Sequence, residues 1–212
     1  QSGAATAVGT PGSIAFVAAD GVTAVELPDP ATTGYGFDFN PAVDRIRVTT
    51  STGLNFRLNQ LSGTAVDGDA VGLGTNPDGA INGSSVTGVS GAAYTNSVAG
   101  TAVTTLYALS DAGSQLTIQN APNAGTQTVP LTVRLGGSTL AFTSVNGFDI
   151  PSDVRVSANN AAVTSGSGFA ALTVAGVTSL YRIDLATGAA TNLGAVGSGV
   201  TGLRGLAVGQ TH

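Results

Sequence analysis

Phe56-Arg57-Leu58-Asn59-Gln60-Leu61-Ser62-Gly63 and Tyr181-Arg182-Ile183-Asp184-Leu185-Ala186-Thr187-Gly188 are two copies of one pattern, [FY]-R-[LI]-[ND]-x-x-[ST]-G. Apolar residues alternate with polar ones and then give way to a small-residue turn, which is how a strand enters a hairpin. The turn recurs as Ser2-Gly3-Ala4-Ala5-Thr6 and Ser62-Gly63-Thr64-Ala65-Val66, then more loosely as Ala124-Gly125-Thr126-Gln127-Thr128, and again as Thr187-Gly188-Ala189-Ala190-Thr191. Its glycines lie 60, 62 and 63 residues apart. Between turns stands a glycine-led apolar segment: Gly36-Phe37-Asp38-Phe39, Gly91-Ala92-Ala93-Tyr94, Gly147-Phe148-Asp149-Ile150 and Gly205-Leu206-Ala207-Val208. Multi-strand units at a fixed period are the mark of a repeated β architecture.

The expectation is an all-β fold of repeated antiparallel four-stranded units, β-propeller-like, in a single domain over residues 1–212, with units divided near Gly63, Gly125 and Gly188. No window shows a 3.6-residue apolar stripe with caps, so helix is not expected. At this period 212 residues make about 3.5 units. The chain opens at the outgoing strand of one unit, residues 4–8, and closes at the incoming strand of another, residues 203–208. The ring is therefore expected to be incomplete, closed by pairing of the termini, or completed by another copy.

Composition excludes much chemistry. Only 9% of residues are charged, with seven basic and twelve acidic, and every basic residue is arginine. Lys, Cys, Met and Trp are absent, and the one histidine is His212. Thiolate nucleophiles, disulfides, iron–sulfur ligation and Lys Schiff bases are excluded, and a Ser-His-Asp triad would need the last residue. A net charge of −5, with arginines scattered beyond Arg45-Ile46-Arg47, argues against nucleic acid. No apolar run reaches the roughly 20 residues of a membrane-spanning helix. Gln1 is not an initiator Met, so a signal peptide is expected to have been removed; with no Lys or Cys, the expected location is secreted or extracellular.

Separated motifs in order, Gly36-Phe37-Asp38-Phe39-Asn40-Pro41, Asp44-Arg45-Ile46-Arg47-Val48, Asn55-Phe56-Arg57-Leu58-Asn59, Ala93-Tyr94-Thr95-Asn96, Leu106-Tyr107 and Gln119-Asn120-Ala121-Pro122-Asn123-Ala124-Gly125, resemble a family of secreted bacterial proteins known chiefly as a domain of unknown function. The resemblance covers roughly residues 34–208. It implies export and a propeller-like β fold, and it carries no activity.

Asp38, Asn40, Asp44, Arg45, Arg47, Asn55, Arg57 and Asn59 gather three of the seven arginines into 22 residues. Adjacent strands could set Arg57 near Asp38 or Asp44. The group reads either as a binding site for an anion or carboxylated sugar, or as a network tying strands together. Asp67, Asp69 and Asp78 lie in the glycine-rich stretch 67–79, where calcium could be wrapped, although no EF-hand template fits and turn chemistry also explains the residues. No other cofactor is expected. Paired carboxylates, Asp38 with Asp44, could serve a carbohydrate-active hydrolase or lyase, but the exposed Trp platforms of such enzymes are missing. The expected function is an exported, noncatalytic structural or binding protein of the cell surface or matrix. Its expected partners are itself, through the terminal strands, and extracellular glycan.

Overall fold

A computed structural model describes residues 4–69, 71–200 and 202–209. Among the described residues there is no α-helix, and one 3₁₀ turn covers Pro122–Ala124. The strands are β1 (Phe16–Val17), β2 (Ala24–Val25), β3 (Tyr35–Asn40), β4 (Arg45–Thr50), β5 (Asn55–Asn59), β6 (Ala65–Val66), β7 (Gly91–Tyr94) and β8 (Leu106–Ser110), followed by β9 (Gln115–Gln119), β10 (Gln127–Thr132), β11 (Arg134–Leu135), β12 (Ser138–Thr139), β13 (Ser144–Asp149), β14 (Ser167–Val174), β15 (Val177–Asp184) and β16 (Ala189–Ala195).

Three antiparallel meanders follow one another along the chain. β3-β4-β5-β6 form the first sheet, β7-β8-β9-β10 the second and β13-β14-β15-β16 the third, while β1 and β2 pair as a separate hairpin. The third sheet gains the hairpin β11-β12, whose Arg134 and Leu135 pair in parallel with Ala189 and Ala190 of β16. The fold is therefore all-β and antiparallel apart from this addition.

Local chemistry fixes the turns. Val174 faces Val177 across Ala175 and Gly176, with φ of 47° and 80°, the pair of left-handed residues that a two-residue hairpin of right-handed twist demands. Gly136 and Gly137 do the same between β11 and β12. Repeat glycines Gly63, Gly125 and Gly188 all lie at φ near 70°, at 69°, 71° and 75°. They do not divide the units, however. Each sits in the turn between the third and fourth strands of its own sheet, so the boundaries expected at these positions fall inside sheets. The Ser2-Gly3 copy lies outside the described residues.

The first strands of the three sheets converge. β3 packs on β7, and β13 on both. Glycine permits this approach: a Cβ on Gly36 would come within 2.8 Å of Ala92 N, and one on Gly147 within 2.5 Å of Leu206 N. Residues 203–208 thus run beside β13 as a fourth glycine-led segment, without strand assignment. Residues 4–8 are not in a strand either, and Gly9 lies against Ser62 and Gly63 at the far edge of the first sheet. Among the described residues, the N-terminal of these segments lies at the edge of the first sheet and the C-terminal one beside β13.

A large core joins the second and third sheets through Leu109, Leu116, Ile118, Val145, Phe148, Leu172 and Ile183. A smaller one, Phe16, Val48, Phe56 and Leu58, seats the β1-β2 hairpin on the first sheet, with Phe16 and Phe56 rings 5.1 Å apart. Between the first two sheets the contact is polar.

Candidate functional site

That polar seam absorbs much of the arginine-rich cluster. Asp38, Arg47 and Arg57 are cross-strand neighbours on β3, β4 and β5, so their side chains share a face of the sheet. Arg47 is 1% exposed. Its Nη1 donates to Asn55 Oδ1 at 2.9 Å and to Asp78 Oδ2 at 2.5 Å, and its Nη2 donates to Asn123 Oδ1 at 2.5 Å. Arg57 holds the same carboxylate with Nε on Oδ2 at 2.8 Å and Nη2 on Oδ1 at 2.7 Å. Asn55 Nδ2 donates to the carbonyls of Gly79 and Pro122, and Gln119 Nε2 donates to Asn55 Oδ1. Two positive groups on one buried carboxylate, with the amides filled by backbone, make a fastener between sheets rather than an open anion site.

Several expectations change here. Arg57 reaches Asp78, not Asp38 or Asp44, because the 76–80 loop folds over the sheet and brings a closer carboxylate. Arg45 stands apart at the turn into β4, its Nη1 donating to Asp44 O. Asp78 is taken by two guanidinium groups and is separated in role from Asp67 and Asp69. Asp67 accepts the Asn76 N–H, and Asp69 accepts those of Val71 and Gly72. Among the described residues no three His, Cys, Asp or Glu side chains form a group able to hold a metal ion.

Asp38, Asn40 and Asp44 go elsewhere. They line a cavity of about 350 Å³ at the ends of β3 and β13, with Asp149, Ser97, Ser152, Phe39 and Val208 also on its walls. The sequence reading missed Asp149, although it holds the same place in Gly147-Phe148-Asp149-Ile150 as Asp38 in Gly36-Phe37-Asp38-Phe39. The two carboxylates work alike. Asp38 Oδ1 accepts from its neighbour Phe39 N at 2.7 Å, and Oδ2 from Tyr94 N on β7 at 2.6 Å. Asp149 Oδ1 accepts from Ile150 N at 2.8 Å, and Oδ2 from Val208 N at 2.6 Å. In each case the acidic residue of one glycine-led segment clamps the fourth residue of the next.

Burial opposes ionisation of both groups. It pushes Asp38 up to about 7, with the nearby negative charge of Asp149 adding to the rise and the two N–H donors pulling against it. Asp149 is raised for the same chief reason, its two donors again opposing. Among the described residues, no basic side chain lines the cavity. Its walls mix carboxylate, amide and hydroxyl groups with apolar side chains, which suits a neutral or cationic ligand rich in hydroxyls and repels an anion.

A larger cleft of about 540 Å³ opens between residues 29–35, Ser144–Asn146 and Leu203-Arg204. Arg204 closes one side by donating to Pro30 O at 2.6 Å. It lacks the buried carboxylates, so the smaller cavity is the stronger candidate site.

Comparison with known proteins gives a family. A family described as a domain of unknown function (DUF4394) matches residues 1–207, and the chain belongs to that family. No curated protein matches the chain.

Proposed function

We propose that this chain is an exported, noncatalytic binding module whose cavity between β3 and β13 takes a neutral or cationic hydroxyl-rich ligand of the extracellular glycan class. One observation carries the reading: all four oxygens of Asp38 and Asp149 already accept backbone N–H groups. A general acid or base must present an oxygen to substrate, and here every oxygen spends one of its two acceptor sites on joining neighbouring segments. Asn40, Asp44 and Ser152 remain as the polar wall. Titration calorimetry with neutral, amino and uronic oligosaccharides tests it. Neutral or amino sugars bind, uronic ones do not, and Asn40→Ala weakens binding at least severalfold.

The alternative, a hydrolase or lyase using Asp38 and Asp44, draws support from their shared cavity and from an Asp38 that titrates near neutrality. Turnover of any glycan that ends on Asp44→Asn would favour it. The propeller-like arrangement belongs to the same proposal. In this reading four glycine-led segments, three in β3, β7 and β13 and one at 205–208 without strand assignment, mark the inner edges of quasi-equivalent units around a shared axis. Association of the chain with itself is the remaining element, supported by low charge and by Phe37 and Phe39. Each of these rings is 53% exposed, and they meet edge to face at 5.9 Å. Light scattering across a concentration series reads it, and a chain that stays monomeric removes it.

A further inference from the structure

The loop that follows β6 buries an oxygen that none of the described residues satisfies. Asn76 is 3% exposed, and its Nδ2 donates to Val17 O at 2.9 Å, Ala18 O at 3.0 Å and Leu73 O at 3.2 Å. Three carbonyl partners fix which end of the amide is nitrogen. Oδ1 therefore points the other way, and it is buried with no hydrogen-bond partner, a rarity that calls for an explanation.

What it faces is a carboxylate. A methyl placed on Gly72 would collide with Asn76 Oδ1 and lie 2.9 Å from Asp69 Oδ2, so both oxygens border one small space beside the glycine. Neither can donate to the other. Asp69 is held in this pose by its other oxygen, which accepts Val71 N at 2.9 Å and Gly72 N at 2.6 Å. Asp67 is tied to the same loop, its Oδ1 accepting Asn76 N at 3.0 Å. Neither acid has an arginine in ion-pair contact among the described residues; Arg57 reaches only the Asp67 carbonyl, at 3.3 Å.

We propose that Asp69 Oδ2, Asn76 Oδ1 and the Asp67 carboxylate form a Ca²⁺ site beside Gly72. Oxygen donors of mixed charge on a loop suit this hard, adaptable cation. Mg²⁺ asks for a tighter octahedron and keeps its water, and zinc or copper would want the imidazole or thiolate that the loop lacks. Asp78, the third acid of the sequence expectation, is replaced as a donor by Asn76. Through Asn76 Nδ2 the ion would secure the β1-β2 hairpin to the loop. The site is distinct from the β3-β13 cavity and independent of the glycan reading.

The test uses the full chain, stripped with EDTA and exchanged into chelator-free buffer. Calorimetry and thermal melts are run with CaCl₂, with MgCl₂ and with NaCl at matched ionic strength, on the parent, Asp69→Asn, Gly72→Ala and the exposed control Asp153→Asn. One Ca²⁺ binds per chain, and at about a hundredfold over Kd the Tm rises by roughly 5 °C or more. Mg²⁺ and NaCl give no comparable rise. Asp69→Asn abolishes the response while its calcium-free Tm stays level or increases, since its amide sets a donor beside Asn76 Oδ1. Gly72→Ala fills the space and abolishes the response independently, and Asp153→Asn retains it. Absence of binding at about 10 mM Ca²⁺, above the weakest range of extracellular sites, overturns the proposal. Equal binding by Asp69→Asn and Gly72→Ala overturns it too, as does an equal shift with Mg²⁺.

Discussion

Asp78→Ala removes the one anion on which two arginines converge. Arg47, 1% exposed, would be left as a buried cation with only the carbonyl oxygens of Asn55 and Asn123 for partners, whereas Arg57, with 19% of its side chain accessible, can turn to water. Stripping one partner from a buried ion pair costs about 3–5 kcal/mol. For a chain of this length each kcal/mol moves Tm by roughly 2–4 °C, so the melting point should fall by roughly 6–20 °C. The double variant Arg47→Met, Asp78→Asn removes charge and countercharge together. It should lose less than Asp78→Ala alone, because no buried charge is left without a partner. Calorimetric melts at neutral pH on the three proteins read both statements. A Tm for Asp78→Ala within about 2 °C of the parent, or a double variant that loses as much as Asp78→Ala or more, would refute the reasoning that this seam fastens the first two sheets.

Other expectations concern pH, turns and the repeat. Asp38 titrates higher in the folded chain, at about 7, than the 3.8 of an ordinary Asp. Its contribution is therefore full below about pH 4 and is lost as pH rises through about 7, by up to ~4 kcal/mol. Urea midpoints should fall from pH 5 to pH 8.5 in the parent and much less in Asp38→Asn; parallel profiles would remove the assignment. Gly125→Ala should cost more than Gly137→Ala. Both residues have positive φ, but a methyl on Gly125 meets Ala80 O and Gly79 O while one on Gly137 meets nothing; equal melting points would contradict this. Arg57→Ala should lose about 1–3 kcal/mol, and Arg182→Ala under about 0.5, because the latter side chain is exposed; denaturant melts compare them.

The repeat was legible because it is local. Asn59 and Asp184, matched in the sequence pattern, each cap the following turn in the same way: Asn59 Oδ1 accepts from Leu61 and Ser62, Asp184 Oδ1 from Ala186 and Thr187. Arg57 and Arg182 occupy corresponding positions on β5 and β15, yet among the described residues Arg57 finds an acid and Arg182 does not, since the partner comes from a loop that the third sheet does not copy. Alternation on β4 was harder to read. Arg47 and Val48 are neighbours on opposite faces and both are buried, one beneath the 76–80 and 122–124 segments and the other beneath β1. Long separations hid the rest. Asn123 meets Arg47 across 76 residues and Gln119 meets Asn55 across 64, so three quoted motifs were one structural unit without any sign of it in spacing. Asp149 did leave a sign, its match to Asp38 in the glycine-led segments.

The claim that the β3-β13 cavity binds without catalysis is tested most directly by the fate of a bound ligand. An oligosaccharide that calorimetry shows to bind should be incubated with the chain for a day and recovered for mass spectrometry. The account predicts intact ligand, with binding weakened by Asn40→Ala. Cleaved ligand whose formation stops in Asp38→Ala or Asp44→Asn variants that remain folded would contradict it.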